Sequence, residues 1–180
     1  MVVKTIFRPR NFFVLVALGI ITVLGLSFGI NVIAPRLQSD VPARLGDMEL
    51  SGVVRGADAV TQVNRLHGLD VRLSDAVIAS YAHSSPYHGD SHATIWMGWA
   101  GDAGTAATLV DRMVESINKG DSPFSNLRRI SVGQSKVFQL DGPGGQNFFY
   151  QSEKRDEAVI WASIEAGDVS IALEQVVKNF

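Results

Sequence analysis

Cysteine is absent from the chain. That excludes disulfides, thiolate zinc sites, iron–sulfur clusters, covalently attached haem, a cysteine nucleophile and a lipid-modified cysteine anchor. Acidic residues are absent before Asp40, while Lys4, Arg8 and Arg10 all precede the first long apolar run. Charge of either sign is missing from Asn11 to Pro35. Clustered basic residues are scarce as well. Arg128–Arg129 and Lys154–Arg155 are the adjacent basic pairs, and isolated pairs do not make the cationic stripe that phosphate neutralisation needs. Nucleic acid is therefore not an expected partner.

What is present divides unevenly along the 180 residues. Removing Lys4, Arg8 and Arg10 from the 16 basic residues leaves 13 against 18 acidic ones, so the part from Pro35 onward carries a net charge of −5. Composition there is that of an ordinary globular domain, long enough to bury a core without staples.

The uncharged stretch begins Phe12-Phe13-Val14-Leu15-Val16-Ala17-Leu18 and continues to Ala34. A helix that crosses a bilayer needs about 20 predominantly apolar residues. The run meets that length, and it has no polar face of the kind a buried soluble helix shows. A cleavable signal peptide is the competing reading. Its apolar core spans only about 7–15 residues and ends in a small-x-small site. Val32-Ile33-Ala34 and Ser27-Phe28-Gly29 are weak sites, and Pro35 follows the first of them. The expectation is a retained anchor.

Cationic flanks stay on the cytoplasmic side. Lys4, Arg8 and Arg10 thus place the N-terminus inside and the remainder outside, in the periplasm or the extracellular space. The expected division is a cytoplasmic tail over 1–10, an anchor helix in the cell (inner) membrane over 11–34, a stalk over 35–46 and an outer domain over 47–180. Gly25 and Gly29 form a GxxxG motif, which lets another helix approach closely in lipid. The bland alternative is the general frequency of glycine in membrane helices.

In the outer domain, Met48–Val54 alternates as a strand does. Gly56–His67 has a helical apolar spacing with Asp58 in its first turn, and Gly68 is a stop. Val71–Ala82 and Ala93–Ala100 read as strands, separated by a long polar loop, Ala82–His92. Ala103–Lys119 is the clearest helix, with Asp102 as N-cap and Gly120 as terminator. Ile130–Leu140 reads as a strand or a bulged pair around Gly133. Gln146–Ser152 and Ala158–Glu165 read as a hairpin. Val169–Phe180 reads as a helix capped by Asp168. The fold class expected is α+β: a membrane helix followed by a small antiparallel sheet, order β-α-β-β-α-β-β-β-α, with helices packed on one face.

Chemistry is thinly marked. Three of the four histidines fall in His83-Ser84-Ser85-Pro86-Tyr87-His88-Gly89-Asp90-Ser91-His92. If this stretch is extended, His88, Asp90 and His92 share a side, a donor set fit for a divalent transition metal such as Zn²⁺. The bland alternative is a solvated loop. His67 ends a helix, where an imidazole caps carbonyls. Gly142-Pro143-Gly144-Gly145 lacks the Lys-Ser/Thr of a phosphate loop and reads as a turn. No G-x-S-x-G elbow and no nucleophile–base pair stands out, so neither an enzyme nor a bound cofactor is expected. Among the strand aromatics, Phe149 cannot share a face with Phe148 and Tyr150. Phe149 and Trp96 are therefore candidates to face a partner.

The functional expectation is a non-catalytic, single-pass, membrane-anchored accessory subunit. It would contact the lipid bilayer and other membrane subunits through its helix and its outer domain. The alternative is a tethered ligand- or metal-binding domain using the His83–His92 loop.

Overall fold

The structure, a computed structural model, describes residues 41–67, 72–85 and 89–180. The expected anchor over 11–34, with Gly25 and Gly29, lies outside these residues, as do Gly68 and His88. Among the described residues no helix is long and apolar enough to cross a membrane.

Among the described residues eight strands form one antiparallel sheet: β1 (Arg44–Leu45), β2 (Met48–Arg55), β3 (Asp75–Ser85), β4 (Gly89–Trp99), β5 (Ser125–Val132), β6 (Ser135–Gly142), β7 (Gly145–Gln151) and β8 (Ala158–Glu165). Their spatial order is β1-β2-β3-β4-β8-β7-β6-β5. Two runs of neighbours, β1–β4 and β5–β8, therefore meet where β4 pairs with β8. Among the described residues three helices accompany the sheet: α1 (Gly56–His67), α2 (Ala103–Lys119) and α3 (Val169–Asn179).

Local chemistry explains the helix bounds. Asp102 accepts the Thr105 backbone N–H at 2.9 Å, satisfying an orphan donor of the first turn of α2. Gly120 closes that helix at φ 76, in the left-handed region. Asp168 does for α3 what Asp102 does for α2, accepting from the N–H groups of Ser170 and Ile171.

Three expectations are corrected. First, the polar stretch Ala82–His92 is not a long loop. β3 continues to Ser85 and β4 starts at Gly89, with register pairs down to Ser85↔Gly89. Backbone pairing along an existing hairpin outweighs the polarity of its side chains. Second, Ile130–Leu140 is two strands: Gly133 turns the chain at φ 61 and β5 reaches back to Ser125. Third, the helices do not share a face.

That third correction follows from the alternation of strand residues. Trp96, Phe149, Val159 and Trp161 point to the face covered by α1 and α2. Ile95, Met97, Phe148, Tyr150, Ile160 and Ile164 point to the other, beneath Ala172, Leu173 and Val176 of α3. A sheet covered on both sides buries successive residues, which is why Phe148, Phe149 and Tyr150 are all buried.

The fold also begins earlier than the stalk expectation placed it. Val41 and Leu45 are in the core, and the Tyr81 hydroxyl donates to the Pro42 carbonyl at 2.9 Å. Burial pushes the Tyr81 phenol well above its ordinary pKa, so it stays a donor.

Candidate functional site

Across the two-helix face, one residue from each of seven strands lines up in register: Val54, Ile78, Trp96, Trp161, Phe149, Phe138 and Arg129. The row is a chain of stacked rings over part of its length. Phe138 and Phe149 stack at 5.0 Å between centroids, and Phe149 and Trp161 at 5.6 Å. Phe124 meets Trp161 at 4.8 Å, and the Arg129 guanidinium lies 5.4 Å above Phe138. Pairs of this kind each stabilise by about 0.5–1.5 kcal/mol beyond area burial.

Midway along the row, α1 and α2 leave a groove. Its floor is Trp96 and Gly98 from β4 with Val159 and Trp161 from β8; its walls are Val63 and Leu73 on one side and Leu109 and Met113 on the other. Every lining side chain is apolar. The space is about 30 Å³, far below the roughly 300–1,000 Å³ of small-molecule pockets. It is the size of one small apolar side chain rather than of a metabolite. Gly98 keeps it open: a Cβ there would stand 2.8 Å from Leu73 Cδ1.

The polar partner of this row is Asn147, which is 1% exposed. Its Nδ2 donates to the carbonyls of Pro143 at 3.1 Å and Gly145 at 3.0 Å, while its Oδ1 accepts from Trp161 Nε1 at 3.3 Å. One side chain thus ties the β6–β7 turn to the central tryptophan. Gly144, at φ 80 after Pro143, shows that Gly142–Gly145 is a turn between strands, as the sequence indicates.

The partner-facing aromatics divide. Trp96 is half-buried and lies in the groove floor. Phe149 is fully buried beneath α2 with Leu140 and Val159, so its assignment to a partner-facing surface is overturned. The sequence alternation placed it on the right face; the helix covering that face was the missing information.

The metal expectation rests on three residues of which two are described. β4 is already extended at Gly89, so Asp90 and His92 project from the same side of the strand, both exposed. The same-face neighbours of His92 are Ala82 and Glu165, one on either side. His83 turns to the opposite face, with its Nε2 3.9 Å from Asp47 Oδ2. Among the described residues no three His, Cys, Asp or Glu side chains converge on a metal-sized site.

The groove residues Leu73, Leu109 and Met113 carried no signal in the sequence beyond helical or apolar periodicity, because only the tertiary fold brings them to the tryptophans. Comparison with family models, with curated proteins and with solved structures finds no match.

Proposed function

We propose that the chain is a non-catalytic, single-pass membrane protein whose outer α+β domain serves as an accessory module for other membrane proteins. The observation that carries the reading is the uncharged stretch from Asn11 to Pro35, with its cationic leading flank. The packed domain starts only six residues after Pro35, at Val41. A short tether favours partners in the same membrane over soluble ones.

The groove supports the partner-binding half of the reading. An apolar notch floored by two tryptophans and sized for a single side chain is the form that interface hot spots take. Full-length chain carried from native membranes in mild detergent should bring membrane proteins with it in a fixed ratio. Leu109→Glu, which sets a carboxylate at the groove wall, should reduce that ratio. A chain that purifies alone overturns the accessory role; an undiminished ratio in the variant overturns the groove's part in it.

A second reading is favoured by one observation, the shared side of Asp90 and His92 on β4. It makes the β3–β4 tip, with His88, a site for a divalent transition metal. Metal analysis of the purified chain against a His88→Ala/His92→Ala variant decides it: stoichiometric metal lost in the variant supports it, and a metal-free wild type overturns it.

A further inference from the structure

The sheet ends in two unequal edges. On one side β1 is two residues long, and β2 behind it is interrupted by a bulge between Leu50 and Gly52. On the other, β5 runs eight residues and pairs only with β6 among the described strands. Its own bulge lies between Ser125 and Arg128, where Asn126 takes φ 54. From Arg128 to Val132 the register with β6 is unbroken. Alternate residues of this stretch turn their N–H and C=O groups outward, where no described strand meets them. Such an edge is a template for another strand unless something blunts it.

Charge says what kind of strand. Arg128 and Arg129 are adjacent on the edge, exposed, and project to opposite faces. Arg129 is held over the Phe138 ring at the end of the aromatic row and makes no ion pair among the described residues. Arg128 stands 3.7 Å from Asp141 in a pair whose side chains are more than half exposed, a weak contact. Lys136, exposed and opposite Ser131, adds a third cation on the face of Arg129. A second copy of the chain would bring four guanidinium groups to one strand pair, and like charges across strands repel.

We propose that the β5 edge, Arg128–Val132, is the docking strand for an extended acidic segment of a partner protein. The incoming segment pairs its main chain with the outward groups of β5 and sets alternate carboxylates against Arg129 and Lys136. This deepens the accessory-subunit reading and rests on it, naming a surface and a partner chemistry.

The test uses the full chain in detergent micelles and fluorescence anisotropy of a short labelled peptide of alternating Glu and Val. Saturable binding is expected, weakened about tenfold or more by Arg129→Glu, less by Arg129→Gln, and unchanged by Arg65→Glu on α1. A Glu–Pro peptide of the same charge, which cannot pair as a strand, should not bind. Absence of binding overturns the proposal. So does equal binding of a Lys–Val peptide, equal binding of the Glu–Pro peptide, or indifference to Arg129. A concentration-dependent dimer abolished by Arg129→Glu also overturns it, assigning the edge to a second copy. Co-purification of membrane partners unchanged in Arg129→Glu, alongside failed peptide binding, sinks the edge and spares the accessory role; a wild-type chain that purifies alone sinks the accessory role itself.

Discussion

Trp96 and Trp161 stand directly opposite each other as a register pair between β4 and β8, the joint where the two halves of the sheet meet. They differ in one respect that decides their energetics. Trp161 donates its indole N–H to the buried Asn147, whereas Trp96 contributes apolar surface to the groove floor. Trp161→Phe strands the Asn147 oxygen without its donor, at a cost of about 1–3 kcal/mol. Trp96→Phe costs less, below about 1.5 kcal/mol, because a ring remains and no buried acceptor is orphaned. Urea titrations of the full chain followed by far-UV circular dichroism should rank the two variants in that order.

Glycines give a sharper contrast. Gly145 sits at φ 98, and a Cβ there would lie 2.5 Å from the Ile164 carbonyl oxygen, a backbone atom that cannot step aside. Gly52 has open space where its Cβ would be and no left-handed backbone. Gly145→Ala should destabilise by at least about 2 kcal/mol and Gly52→Ala by a few tenths at most, measured as shifts in the same denaturation midpoint.

Ser152 organises the β7–β8 turn against the end of α3. Its hydroxyl donates to the Phe180 carbonyl at 2.6 Å and accepts the N–H groups of Lys154 and Arg155 at 3.2 Å each, with the residue 2% exposed. Ser152→Ala leaves those groups without their partner and should cost about 1–3 kcal/mol. Ser152→Thr, which keeps the hydroxyl, should recover part of the loss.

Acid should loosen the helix starts. Side-chain and backbone hydrogen bonds from Thr105 hold the Asp102 carboxyl below its usual range, and Ser170 and Ile171 do the same for Asp168. A depressed folded-state pKa means stability that is present above the ordinary carboxylate pKa and lost as pH falls through the folded one. Melting temperature should therefore be flat near neutrality and fall below about pH 4. Asp102→Asn, which still caps but does not titrate, should keep the neutral-pH value and flatten part of the acid slope.

The sequence was most informative where chemistry is local. The bounds of α1 and α2 are those expected from spacing and caps, and α3 ends one residue short of expectation. It was least informative where neighbours far along the chain decide. Nothing in Val169–Asn179 says which face it will cover, since its apolar stripe suits either. The cue lay in Phe148-Phe149-Tyr150: three large aromatics in succession fit a strand buried on both sides better than one with a free face. The Ser125–Arg129 part of β5 was missed because a bulge breaks its alternation. The polar β3–β4 tip concealed itself for the opposite reason, having the composition of a loop and the pairing of a hairpin. The groove was illegible altogether, being assembled from five separate segments.

The central claim is that this α+β domain is carried by a membrane helix it keeps. The direct measurement is alkaline carbonate fractionation of cells expressing the chain with a different epitope at each end. The account predicts both epitopes in the membrane pellet, on one band of the full 19.5 kDa chain plus tags, with the C-terminal epitope degraded by protease added outside the cytoplasm. A C-terminal epitope recovered in the soluble fraction, on a shorter band that has lost its opening residues, would contradict it.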